Sequence, residues 1–141
     1  MIGLIIAVVA LALATAFGLW RRATDGRARA SRSADRLGAA DLGIEPGRAA
    51  TFVQFSSPVC TPCRRTRSLL EAVAADHPDV AYVDLDAQER ADLTDRFSIL
   101  RTPTVLVLDA HGLVTRRIVG PARKSEVLAL VGDPAPTGPA R

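Results

Sequence analysis

The chain has 141 residues, 18 Lys and Arg against 15 Asp and Glu for a net charge of +3, 48% hydrophobic residues and only two cysteines. Such a length accommodates one small hydrophobic core with chain to spare. Two cysteines cannot build the disulfide framework that substitutes for a core in small secreted domains.

From Ile2 to Trp20 no residue carries a charge. As a helix this stretch would reach about 28 Å, close to one hydrocarbon core, and Trp20 before Arg21-Arg22 has the form of an interfacial belt and stop. Residues 1–20 are therefore expected to be a transmembrane anchor. A secretory signal is the rival, with Ala14-Thr15-Ala16 resembling a cleavage site. Against it, no Lys or Arg precedes the apolar run, and the run is longer than a usual signal core.

Residues 21–48 follow as a basic juxtamembrane linker. Arg21, Arg22, Arg27, Arg29, Arg32 and Arg36 outweigh Asp25 and Asp35, so the positive-inside tendency puts the C-terminal side in the cytoplasm of a single-pass protein. These arginines could also lie on anionic headgroups. Nucleic acid is a poor partner for them, because no aromatic residues interleave the charges. Leu37 to Leu42 is expected to add a helical turn or an edge element.

A domain is predicted over 49–132. Ala50 to Phe55 reads as a strand, and Cys60-Thr61-Pro62-Cys63 opens a helix in which Thr66, Leu69, Leu70, Val73 and Ala74 form one apolar stripe. Pro62 suits a first helical turn, and Pro78 ends the helix near His77. Val80 to Leu85 returns as a parallel strand. Asp86-Ala87-Gln88-Glu89 has capping-box spacing and announces a second helix carrying Leu93 and Phe97. Val105 to Leu108 is a buried strand, Asp109 to Gly112 a turn, Leu113 to Val119 a strand, and Lys124 to Val131 a closing helix. The expected core comprises Phe52, Val53, Phe55, Leu69, Leu70, Val73, Val83, Leu93, Phe97, Val105, Val107 and Val119. Residues 133–141 read as a flexible tail.

The chemistry concentrates at Cys60 and Cys63. A thiol reacts as thiolate, and free N–H groups at a helix start favour negative charge, so the pair reads as a redox couple. Two alternatives stay open. Zinc would need a dimer sharing two cysteine pairs, since His77 and His111 lack ligand spacing. A purely structural bridge would close too short a loop to stabilise much.

With Cys60-x-x-Cys63, Asp84-Leu85-Asp86, Thr102-Pro103-Thr104, Gly112 and Gly120 in that order, the chain resembles the thioredoxin-like thiol-disulfide oxidoreductases over 49–132. The resemblance implies an α/β thioredoxin-like fold, βαβ-α-ββα, with a central mixed sheet flanked by helices and preceded here by one transmembrane helix. It implies that Cys60 attacks and Cys63 resolves, and that Pro103 is a cis proline beside them with the Thr102 backbone open to an extended substrate. Arg64 is read either as a charge that lowers the Cys60 pKa or as a solvated helix residue. The sequence departs from the family's best-known members at three support positions. Val59 stands where tryptophan is common, Gln54 where a buried aspartate is common, and Thr61 where glycine is common. Gln54 cannot titrate, so Cys63 is expected to react more slowly.

The resulting expectation is a membrane-tethered reductase of protein disulfides, fed by an upstream thiol reductant, with no cofactor or metal beyond the Cys60–Cys63 disulfide. High arginine and alanine usage with a single lysine points to a G+C-rich bacterial source. An extracytoplasmic protein of disulfide exchange or cytochrome maturation is the alternative enzyme. A docking module or thiol sensor is the alternative class.

Overall fold

The computed structural model describes residues 1–31 and 35–132; the expected tail at 133–141 lies outside them. The elements are α1 (Ile2–Thr24), β1 (Ala28–Ala30), α2 (Ala39–Leu42), β2 (Ala50–Ser56), α3 (Thr61–Asp76), β3 (Val80–Asp86), α4 (Ala91–Arg96), β4 (Thr104–Leu108), β5 (Val114–Val119) and α5 (Lys124–Gly132). The strands form one sheet in the order β1-β5-β4-β2-β3. Only β2 and β3 are parallel, joined through α3, and the remaining pairs are antiparallel. This is the expected mixed sheet with one additional edge strand.

Strand alternation divides the core into two layers. Phe52, Val105, Val107 and Ile118 face α3 and α5, where they meet Leu70, Val73 and Val127. Val53, Phe55, Leu106 and Leu108 face the other way and pack with Leu37, Leu42, Leu93, Phe97 and Val114. Every residue of β2 and β4 is buried, as strands covered on both faces must be. Of the expected core, Leu69, Val83 and Val119 are only half-buried. On β5 the buried residues are Val114 and Ile118, which pack in different layers of the core.

Within residues 21–48, expected to be mostly linker, the described residues include β1 and α2, the latter within the Leu37 to Leu42 stretch where a helical turn or edge element was expected. Ala28, Arg29 and Ala30 pair with Ile118, Arg117 and Arg116. Leu37 is fully buried, and its N–H donates to the Gly112 carbonyl at 2.9 Å. Gly112 holds a φ of +77°, and a Cβ there would stand 2.3 Å from the Leu37 carbonyl oxygen, so the β4–β5 turn admits only glycine against this segment. The end of α1 is docked as well. Arg123 caps it by donating to the carbonyl of Arg22 at 2.8 Å, Gly26 N–H donates to the Val119 carbonyl at 3.0 Å, and Asp25 pairs with Arg101. Tertiary hydrogen bonding and burial occupy a stretch whose composition resembles a linker.

The second helix begins later than its capping pattern implied. Asp86 belongs to β3, and its carboxylate accepts from the Gln88 N–H at 2.8 Å, closing a turn rather than capping a helix. α4 starts at Ala91 after Arg90. By contrast, α1 extends through Thr24, beyond the apolar run, and none of its residues is buried. Its length and mean hydropathy of 2.6 are sufficient to cross a membrane.

Candidate active site

The site lies where β2 ends and α3 begins. Cys60 is the N-cap of α3, and its sulfur accepts the Cys63 N–H at 3.2 Å. The two sulfurs form a disulfide, with Cα atoms 5.2 Å apart. Cys60 is half-buried while Cys63 is 2% exposed, so only one sulfur is open to an incoming molecule. That Cys63 N–H belongs to the first turn of α3, where a helix N-terminus favours negative charge on the sulfur it faces. Pro62 occupies the first turn, where no donor is lost, and Thr61 is exposed beside it.

The segment before β4 walls the loop that leads into Cys60. The Thr102–Pro103 peptide bond is cis. Pro103 is buried, and its carbonyl accepts from the Gly120 N–H at 2.8 Å. The Thr102 hydroxyl lies 3.3 Å from that of Ser57, linking this wall to the loop ahead of Cys60. Val59 and Leu100 are each 93% exposed, leaving an apolar side chain next to Cys60 and another just before the cis-proline segment.

Beneath the disulfide lies Gln54, fully buried. Its amide nitrogen donates to the Cys63 carbonyl at 3.0 Å, and its amide oxygen accepts the Tyr82 hydroxyl at 3.3 Å. Both ends of the side chain are satisfied without a charge, which explains how a polar residue persists in the core. Burial, and then the charge of Asp84, push the Tyr82 phenol above its ordinary value and keep it a donor. Arg64 is exposed and reaches the Thr61 hydroxyl at 3.5 Å.

Several neighbours were given no site role from sequence, Asp84 having been read only as part of a motif. Asp84 accepts the Ser56 hydroxyl at 2.7 Å and pairs with Arg67. Asp84, Ser56 and Arg67 line a cavity of about 420 Å³ that also reaches Cys60, Cys63 and Arg64. The signal for Asp84 was the parallel register that sets it opposite Gln54, information that strand patterns alone do not carry. Among the described residues, no group of three or more His, Cys, Asp or Glu side chains is arranged to hold a metal ion.

The thioredoxin family model matches residues 44–133. The chain belongs to the thioredoxin family. It is 37% identical over 75 residues to thioredoxin H2 of Arabidopsis thaliana, covering 53% of this chain and 55% of that one. Over 85 residues it is 31% identical to a thioredoxin of Mycolicibacterium smegmatis, covering 58% and 75%. Thioredoxin NaTrxh from Nicotiana alata superposes with a TM-score of 0.56 at 28% identity, covering 62% of this chain and 75% of that one. The chain spans about half the length of thioredoxin H2 and of the putative thioredoxin H10 that it also matches. Thioredoxins work through a redox disulfide without a further cofactor, and the Cys60–Cys63 pair occupies the matched region.

Proposed function

We propose that this thioredoxin-family chain is a membrane-tethered, bacterial thiol-disulfide oxidoreductase that reduces protein disulfides near the inner membrane surface. The observation that carries the chemistry is Cys60 at the N-cap of α3, its sulfur accessible while that of Cys63 is covered. The Cys60 thiolate attacks one sulfur of a client disulfide, that S–S bond breaks, and the client's other sulfur leaves as thiolate. The Cys63 thiolate then attacks Cys60 in the mixed disulfide, forming Cys60–Cys63 and releasing the second client thiolate. Two electrons pass to the client, and an upstream dithiol restores the pair. Gln54 and Tyr82 hold the Cys63 backbone from below without supplying a titrating carboxylate. Thr102, Pro103, Thr61, Pro62 and the exposed Val59 and Leu100 shape the surface that receives an extended client segment.

Tethering is supported by the length and hydropathy of α1 and by Trp20 before Arg21-Arg22. The Asp25–Arg101 pair joins the end of that helix to the segment carrying Thr102 and Pro103, favouring clients at the membrane surface. The arginines after Trp20 favour the cytoplasmic side.

Full-length chain in neutral detergent, assayed for insulin reduction with dithiothreitol, should exceed Cys60→Ser by at least about a hundredfold. Activity equal to that of the variant would leave a docking module as the better reading. Orientation is read by labelling reduced intact cells with a membrane-impermeant thiol reagent. Protection of Cys60 is expected, and efficient labelling would move the domain outside.

A further inference from the structure

Away from the disulfide, Arg29, Arg96 and Arg117 line one cavity of about 410 Å³. Arg29 in β1 stands directly opposite Arg117 in β5, a like-charge cross-strand pair that is destabilising by itself. Arg117 is half-buried, burial lowers its affinity for its proton, and it donates to the Phe97 carbonyl. Arg96 closes α4 with its guanidinium 5.3 Å from the Phe97 ring centroid. It donates to the Arg36 carbonyl at 3.0 Å and stands 4.0 Å from the Asp35 carboxylate. Among the described residues, neither Arg29 nor Arg117 forms an ion pair. Among the described residues the fold thus sets two arginines opposite each other with no ion pair to either, a repulsion that a bound anion would offset.

The position of the cavity narrows the identity of that anion. Arg29 also lines an adjoining cleft with Trp20, Thr24, Arg27 and the paired Asp25 and Arg101, so the arginine cavity opens beside the end of α1. That end is where a spanning helix would meet phosphate-bearing headgroups. Guanidinium forks match phosphate oxygens in bidentate geometry, and each basic group at an anionic surface adds favourable energy. We propose that Arg29, Arg96 and Arg117 bind the phosphate of an anionic phospholipid headgroup, fixing the domain against the bilayer. This inference rests on the tethered reading of α1.

Thermal unfolding of the full-length chain in neutral detergent micelles tests it, with phosphatidylglycerol, phosphatidylcholine or inorganic phosphate added. Phosphatidylglycerol at tenfold its half-saturating concentration should raise the Tm by roughly 5 °C, and the other two should not. Arg29→Gln and Arg117→Gln should each lose most of that rise, whereas Arg65→Gln on the exposed face of α3 should keep it. Without lipid, Arg29→Gln should unfold no earlier than wild type, because the like-charge pair is gone. Arg29 lies on an edge strand, so this variant keeps the test decisive if Arg117→Gln fails to fold. Equal shifts in all variants, equal loss in Arg65→Gln, or protection by inorganic phosphate as strong as by lipid would overturn the assignment. Carbonate extraction of membranes reads the tether separately, since release of the chain would sink the anchor while leaving the micelle measurement intact.

Discussion

α1 and α3 are both long helices, yet they distribute their apolar residues differently. α3 buries Cys63, Thr66, Leu70 and Val73 and exposes its arginines. α1 carries no charge from Ile2 to Trp20 and buries none of its residues. A helix stabilised by one stripe depends on its neighbours for packing, whereas one without a polar face asks for a solvent that is itself apolar. The redox pair sits on the first kind, where packing holds geometry.

The sharpest way to break this contrast is to truncate equivalent leucines. Leu70→Ala should cost the domain about 2–5 kcal/mol, read as a lowered denaturation midpoint. Leu11→Ala should leave the domain's midpoint within about 0.5 kcal/mol of wild type, and a loss comparable to that of Leu70→Ala would mean α1 packs on protein. Next in size, Leu11→Arg places a charge at the centre of the span. It should disfavour insertion by about 2.5–3.5 kcal/mol, measured as a fall in the membrane-integrated fraction, with insulin reduction in detergent unchanged.

Within the α3 region, Gln54→Leu removes the hydrogen bond to the Cys63 carbonyl and the acceptor of the Tyr82 hydroxyl. A destabilisation of about 1 kcal/mol is expected in chemical denaturation, together with slower release of the mixed disulfide formed by Cys60. The smallest effect is a pH dependence. Because the Tyr82 phenol is raised above its reference value of 10.0, the folded chain keeps a proton that the unfolded chain releases. This contribution is complete below about pH 10 and is lost as pH climbs above it. Tyr82→Phe should flatten that part of the stability profile, and an unchanged alkaline slope would contradict the assignment.

Much of the active site was legible because its signals are local. The Cys60-Thr61-Pro62-Cys63 spacing, the helical stripe through Leu70 and Val73, and the run Val105 to Leu108 all act over a few residues. The capping-box spacing from Asp86 to Glu89 was local too, yet it misled, because Asp86 was already committed to β3. The reach of Arg64 to the Thr61 hydroxyl was not legible either. Helical periodicity gives its face but not the direction in which a long side chain reaches.

Residues 21–48 show the opposite limit. Their alanine, arginine, glycine and serine content carries no clear period, so neither β1 nor the burial of Leu37 could be read from it. Asp25 and Arg101 pair across 76 positions of sequence, and the Arg29–Arg117 pair exists only because β1 registers on β5.

By itself, the amino-acid sequence determined the redox chemistry, the alternation of apolar faces and the apolar character of the first helix, since these arise from side-chain identity and short-range period. Only the tertiary structure decided which strand lies at the sheet edge, which polar groups support Cys63 from below, and which three arginines line one cavity. Those outcomes depend on register and packing between distant segments, whose free energies no local pattern contains.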